Sequence, residues 1–139
     1  PSRKVLSSYR LRENEKPIDK LCYLAKNETG SILCAVRYWP IKIQSFKFLL
    51  LGPLAVHPTI QAEGHGNYII NETLTRAEKF GWQAVILIGD LSYYRQFNFV
   101  IAKSIEFPLP TNPKRTLIKS LNGFDISLIK GKVERWGAE

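Results

Sequence analysis

Apolar positions in the first half of the chain recur in short alternating runs broken by turn formers, the pattern of antiparallel strands. Residues 21–38, LCYLAKNETGSILCAVRY, hold two such runs around Asn27, Glu28, Thr29 and Gly30, which predicts a hairpin. Residues 41–56 continue in the same manner from Ile41 and Ile43 through Phe46–Val56, adding one or two strands that end at His57 and Pro58. From Gly66 the period changes: Ile69, Ile70, Thr73, Leu74, Ala77 and Phe80 fall at three- and four-residue spacings. That spacing predicts a helix with one apolar face, and Gly81 is placed as its left-handed stop. Ala84–Ile88, AVILI, is a continuous apolar run bounded by Gly89 and Asp90, as expected of a central strand covered on both faces. Strand, loop, helix and strand make a βαβ unit, whose crossover should be right-handed. Residues 91–97 read as a short helix and residues 99–105 as a further strand. Residues 107–116, with Pro108, Pro110 and Pro113, read as a surface connection. Residues 124–130 read as a last strand ending at Gly131, with a loose tail beyond.

A chain of 139 residues is long enough for one real core, so residues 1–139 read as a single domain. Its apolar and charged fractions, 45% and 23%, exclude disordered and fibrous classes. Residues 48–56, the longest apolar stretch, are broken by Gly52 and Pro53 and are too short to span a bilayer. With no basic-then-apolar leader visible, the expected location is the cytoplasm, without membrane attachment. Cys22 and Cys34 make no disulfide framework and, with His57 and His65 as the only histidines, no zinc site. They read as reduced, buried thiols on neighbouring strands. Methionine is absent altogether, which points to a trimmed start or an initiator lost ahead of Pro1.

The net charge of +8 suggests nucleic acid until its distribution is counted. Residues 1–50 carry ten basic and four acidic groups, residues 51–100 three and four, and residues 101–139 seven and four. The positive charge lies on the flanks, interspersed with acids, so a solvated basic surface is the expectation and a nucleic-acid partner is not. Such a surface would also attract an anionic cofactor or substrate.

The chemically informative segment is residues 50–66, LLGPLAVHPTIQAEGHG, in which a long strand delivers a glycine-containing loop to a helix start. A helix start presents unpaired N–H groups and the positive end of the helix dipole, a natural anion site. Gly64 and Gly66 let the main chain approach a diphosphate closely. A nucleotide-triphosphatase loop would need Lys and Ser/Thr after Gly66, where Asn67 stands, and the dinucleotide fingerprint would need a glycine where Ile69 stands. Taken alone, the Gly64-His65-Gly66 triplet also fits an ordinary tight turn.

The stretch Gln61-Ala62-Glu63-Gly64-His65-Gly66 resembles the cofactor loop of the GNAT N-acetyltransferases, Gln/Arg-x-x-Gly-x-Gly/Ala, in the same strand-to-helix context. Residues 89–99, GDLSYYRQFNF, resemble the Gly-Asp-x-x-Tyr-Tyr-x-x-Phe-Gly-Phe segment of a bacterial branch of predicted acetyltransferases. The likeness runs roughly over residues 9–132. It implies an α/β (α+β) fold, the acyl-CoA N-acyltransferase fold, with a mixed, mostly antiparallel sheet, splayed central strands and flanking helices. It implies transfer of acetyl from acetyl-CoA to a primary amine of a small molecule or peptide, in a ternary complex, with CoA as product. Backbone amides of Gln61, Ala62, Glu63, Gly64, His65 and Gly66, with Asn67 opening the helix, would hold the pyrophosphate. Leu54, Ala55 and Val56 would run along the pantetheine arm, with Ser92, Tyr94 and Phe97 also beside the cofactor. By position in the motif Tyr94 would protonate the departing thiolate, and an amide near Val56 would face the oxyanion.

Plainer readings stand beside these. Tyr94 and Phe97, three residues apart, also suit packing, Tyr93 reads as core, and Ser92 as a helix cap or solvated residue. His57, Asp90 and Glu63 are candidate proton acceptors that equally suit a strand end, a turn and an exposed loop. Asn98 stands where the motif has glycine, although asparagine tolerates a left-handed backbone. The resemblance implies a first strand and two helices walling the acceptor site, whereas only residues 2–14 precede the strand expected at Cys22. A homodimer partner could complete that wall. Otherwise the chain could hold CoA without turnover, as a binding or assembly module, and a basic nucleic-acid-binding domain is the third reading.

Overall fold

The architecture is that of a computed structural model, which describes Arg12 and residues 16–57, 64–108 and 111–136. Eight strands form one curled sheet in the order β5-β7-β4-β3-β2-β8-β6, with β1 also on β2. In chain order they are β1 (Tyr23–Lys26), β2 (Ile32–Ile43), β3 (Phe46–Val56), β4 (Ala84–Ile88), β5 (Val100–Ile101), β6 (Ile105–Glu106), β7 (Thr116–Ser120) and β8 (Gly131–Arg135). Helix α1 (His65–Lys79) joins β3 to β4, and the short α2 (Leu91–Tyr94) runs into a 3-10 turn at Arg95–Phe97. All pairings are antiparallel except β3 with β4 and β6 with β8. The mixed, mostly antiparallel sheet expected from the sequence is thus present.

Local chemistry explains why the first elements form where expected. Asn27 Oδ1 accepts from the amides of Thr29 (3.0 Å) and Ser31 (2.9 Å), closing the β1–β2 turn through its side chain. Helix α1 stops as predicted at Gly81, which takes φ +86°. The Gly81 amide bonds Glu78 O and the Trp82 amide bonds Ala77 O, the paired closure of a Schellman cap. Asn122 Nδ2 then donates to both Glu78 O and Trp82 O at 2.9 Å, fastening that helix end to the turn after β7.

The sheet buries both of its faces, and β4 shows why its run of apolar residues is unbroken. Val85 and Leu87 pack with Ile69, Ile70, Leu74 and Ala77 of α1, while Ala84 and Ile86 pack in a second cluster with Phe48, Phe107, Ile118 and Val133. Phe80, expected on the helix's apolar face, is 54% exposed because it lies past the last turn, with the Lys20 ammonium 5.5 Å above its ring. Within α1's inner face Thr73 is buried: its hydroxyl donates to Ile69 O (2.7 Å) and accepts from the Tyr38 hydroxyl (2.7 Å).

The second half departs from the sequence reading in three places. The strand expected over residues 99–105 is two short strands, because Ala102 bonds Thr116 O and the chain then turns from one end of the strand order to the other. Thr116–Ser120, of which only Thr116 fell in the expected connection and the rest was assigned no element, is β7, paired with β4 along its length. The last strand is Gly131–Arg135, in the stretch expected to be loose. Residues 124–130 instead hold a 3-10 segment at Ile126–Leu128, because Asp125 Oδ1 accepts from the Ser127 amide (3.0 Å) and hydroxyl (2.6 Å) in place of ladder bonds. Those two bonds also lower the Asp125 carboxyl's pKa. Both cysteines are free thiols, but only Cys34 lies on a strand, opposite Ala25. Cys22 precedes β1 and is half-buried.

Ile86 is fully buried at the centre of the second cluster. Ile86→Ala is expected to lower the unfolding free energy by about 2–5 kcal/mol. Urea denaturation followed by tryptophan fluorescence measures this; a loss under about 1 kcal/mol would mean that the second face is not a packed core.

Candidate functional site

Strands β3 and β4 part company soon after they meet. Their ladder joins only Leu49 to Val85 and Leu50 to Ile86, although β3 continues to Val56 and β4 to Ile88. The cause is visible on the other edge of β3, where the register with β2 shifts between Val36↔Leu54 and Tyr38↔Leu51. The extra β3 residue falls at Gly52-Pro53, with Gly52 at φ +153°, and a bulge of this kind bends its strand. Pro53 brings no N–H to the ladder, and Gly52 O accepts from Trp39 Nε1 at 2.7 Å. Beyond the bulge β3 stays paired to β2 through Leu54, Ala55 and Val56 while its other edge leaves β4.

Helix α1 starts beside this gap. Its N-cap, Gly64, has φ +78° and, being glycine, no side chain with which to cap the first-turn amides. The first turn holds no acidic residue. At Gly66 a Cβ would lie 3.2 Å from Val56 Cγ2 and 3.3 Å from the Tyr93 hydroxyl, so both side chains would have to give by a few tenths of an ångström. The helix start, β3 and the aromatic segment therefore touch, and Leu54, Val56, Gly66, Asn67 and Tyr93 line a cleft of about 310 Å³. Gln61, Ala62 and Glu63 lie outside the described residues. A larger cavity of about 620 Å³, lined by Phe107, Thr116 and Val133 among others, opens among second-cluster residues and contains none of the candidate residues.

The segment after β4 folds back over Gly89. A Cβ on Gly89 would sit 2.6 Å from Tyr94 Cε2, so glycine is what lets the Tyr94 ring lie against the strand end. Tyr94 packs edge-on against Tyr93 (centroids 4.9 Å) and Phe99 (5.7 Å). Its hydroxyl has no hydrogen-bond partner among the described residues. Burial first, then the neighbouring Tyr93 and Asp90, push its pKa up to about 12, against an opposing pull from Arg115. Asp90, considered as a proton acceptor, instead holds an exposed ion pair with Arg115 at 2.7 Å. Asn98 adopts φ 67°, ψ 28°, so it takes the left-handed turn that the motif assigns to glycine.

The expected residues are only partly brought together. Leu54, Val56, Gly66 and Asn67 meet at the cleft. Phe97 is 4% exposed within the helix-side core, Ser92 is exposed, and neither lines the cleft. His57 is exposed at the end of β3, its amide bonded to Leu33 O. Tyr93, read as core, is half-buried, with its hydroxyl 2.8 Å from Asn67 Oδ1 at the cleft and its own pKa raised by burial. Nothing in a Tyr-Tyr pair says which ring turns to a cleft; that depends on the angle at which α2 leaves β4.

No protein-family model matches the chain. Among curated proteins it is 27% identical over 81 residues to the uncharacterized N-acetyltransferase YhbS of Escherichia coli strain K12, a match covering 57% of this chain and 48% of that protein. The chain spans about half the length of the curated relatives it matches. Among solved structures it resembles the GNAT family N-acetyltransferase YhbS from Escherichia coli in complex with CoA, with TM-score 0.73 and 23% identity over 81% of this chain and 64% of that one. A GNAT family acetyltransferase from Brucella melitensis in complex with acetyl-CoA gives TM-score 0.61 and 27% identity over 80% of this chain and 63% of that one. The chain therefore has the GNAT fold, and its homologues are GNAT-family acetyltransferases. No helix among the described residues is long and apolar enough to cross a membrane.

Because the methyl of alanine would overlap the Tyr94 ring, Gly89→Ala is expected to cost about 1–3 kcal/mol. Chemical denaturation checks the cost, and an unchanged unfolding midpoint would mean that Tyr94 does not rest on this glycine.

Proposed function

We propose that this chain is an acetyl-CoA-dependent N-acetyltransferase domain that transfers acetyl to a primary amine. The observation that carries the reading is the gap opened by the β3 bulge directly beside the N-terminus of α1. The relatives crystallised with CoA and acetyl-CoA support it. The residues present suit such a cofactor: a left-handed glycine N-cap, a second glycine where a Cβ would crowd Val56 and Tyr93, and a strand edge that leaves its neighbour.

Acetyl-CoA, when bound, supplies an acetyl group activated as a thioester. Main-chain amides of Gly64, His65, Gly66 and Asn67, continuing from Gln61, Ala62 and Glu63, would hold its pyrophosphate, helped by the positive end of the α1 dipole. Leu54, Ala55 and Val56 would orient the pantetheine arm from the strand edge. Tyr94 would hold a proton on its phenolic oxygen and give it to the leaving sulfur. A domain that holds CoA without turning over is the second reading. The burial of Tyr94 favours it, since a phenol titrating near 12 is a weaker acid than ordinary tyrosine.

Saturating acetyl-CoA is expected to raise Tm, and Gly64→Glu to abolish the shift by placing a strained, negatively charged side chain at the helix start. No shift in the unmodified protein would end the cofactor reading. Tyr94→Phe is expected to lower turnover about 10²-fold or more while leaving CoA affinity within about twofold. Equal turnover in the two proteins would remove Tyr94 as the acid.

The raised pKa also has a sign for stability. A fold that favours the neutral phenol keeps that contribution in full below about pH 10 and loses it as pH rises through about 12. Unfolding midpoints between pH 9 and 12 should therefore fall more steeply for the unmodified protein than for Tyr94→Phe. Parallel curves would contradict the desolvation that raises this pKa.

A further inference from the structure

Three hydrogen bonds close a ring between the start of α1 and the segment carrying Tyr94. The Tyr93 hydroxyl donates to Asn67 Oδ1 (2.8 Å), Asn67 Nδ2 donates to Gln96 Oε1 (3.1 Å), and Gln96 Nε2 donates back to Tyr93 O (2.9 Å). Each side-chain amide spends both its donor and its acceptor within the ring, so each bond fixes the orientation that the next requires. The Gln96 reach follows from its place three residues after Tyr93, in the 3-10 turn. Asn67 is in the first turn of α1, next to Gly66, the residue against which the Tyr93 hydroxyl rests. On its other side the Tyr93 ring meets Tyr94 edge-on and Phe97 at 5.6 Å. One tyrosine thus touches both halves of the candidate site.

We infer that Tyr93, Asn67 and Gln96 form a brace that sets the distance between the anion-binding start of α1 and the acid candidate Tyr94, making all three positioning residues for the site. The inference rests on the cofactor reading for its purpose, though not for its geometry. The need for a brace follows from the topology: α1 follows β3 and α2 follows β4, and beyond Leu50 and Ile86 that splayed pair has no ladder of its own to hold the gap at one width. Side chains must then do what ladder bonds do elsewhere. A gap held at the right width before binding spares the cofactor the work of ordering it.

Gln96 makes the test clean, because it is exposed, lines no part of the cleft, and reaches the cleft only through the ring. Gln96→Ala is expected to weaken CoA binding, measured by calorimetry, by about three- to tenfold, and Tyr93→Phe by a similar factor. Combined, the two changes should cost little more than either alone, since both open the same ring. Amide hydrogen exchange in the cofactor-free proteins should speed up at residues 68–71, the first bonded amides of α1, and at 94–97, and stay at unmodified rates in β2 and β7. Normal CoA affinity in Gln96→Ala, or exchange that is unchanged or faster everywhere alike, would overturn the brace. Should the unmodified protein bind no CoA, the cofactor reading falls on its own and the exchange measurement alone decides the brace.

Discussion

A single irregularity in one strand sets up the rest of this molecule. Where β3 reaches Gly52 and Pro53 it carries one residue too many for its partner β2, and the strand bends. Before that point β3 is an ordinary interior strand with Phe48, Leu49 and Leu50 buried to 1% or less. After it, Leu54 and Val56 are only half-buried. The loss of ladder bonds leaves main chain facing a gap, and buried main chain without partners is costly, so the gap must be wet or filled. Placing a helix start, with its own surplus of donors, beside that gap concentrates polar backbone where an anionic, extended ligand can satisfy it.

The surroundings keep this opening from collapsing. On one face α1 packs through Ile69, Ile70 and Leu74, and its buried Thr73 satisfies Tyr38 at the strand below. On the other, segments from the second half of the chain seal Ile86 and Phe48 under Phe107, Ile129 and Val133. With both faces of β4 committed to packing, the strand cannot slide to close on β3. Gly66 and Gly89 are the points where backbone comes nearest: one admits the helix to Val56 and Tyr93, the other admits the ring of Tyr94.

Legibility in the sequence tracked the range of the interactions involved. The β1–β2 hairpin, α1 and β4 were readable because their signals are local: Asn27 bonds its own turn, Gly81 ends its own helix, and AVILI carries enough apolar surface for two faces. The strands at 116–120 and 131–135 were missed because they are assigned by partners far away. Thr116–Ser120 offers only Leu117 and Ile118 as plainly apolar residues and becomes a strand by pairing with β4. The more apolar stretch 124–130 is diverted by Asp125 and Ser127. For the candidate site, the glycine motif and the Tyr-Tyr segment could be found by spacing and by resemblance. The orientation of Tyr93 toward Asn67 could not, since it depends on how α1 and α2 meet on one face of the sheet.

The curl of the sheet has one more consequence. Strands β5 and β6 stand at opposite ends of the strand order, yet only residues 102–104 separate them in the chain. The sheet is a hoop whose two margins are tied by a covalent clasp, so neither margin can drift outward without dragging the other. That leaves the seam between β3 and β4, where among the described residues both strands run on beyond only two paired positions, as the place where the hoop has width to give.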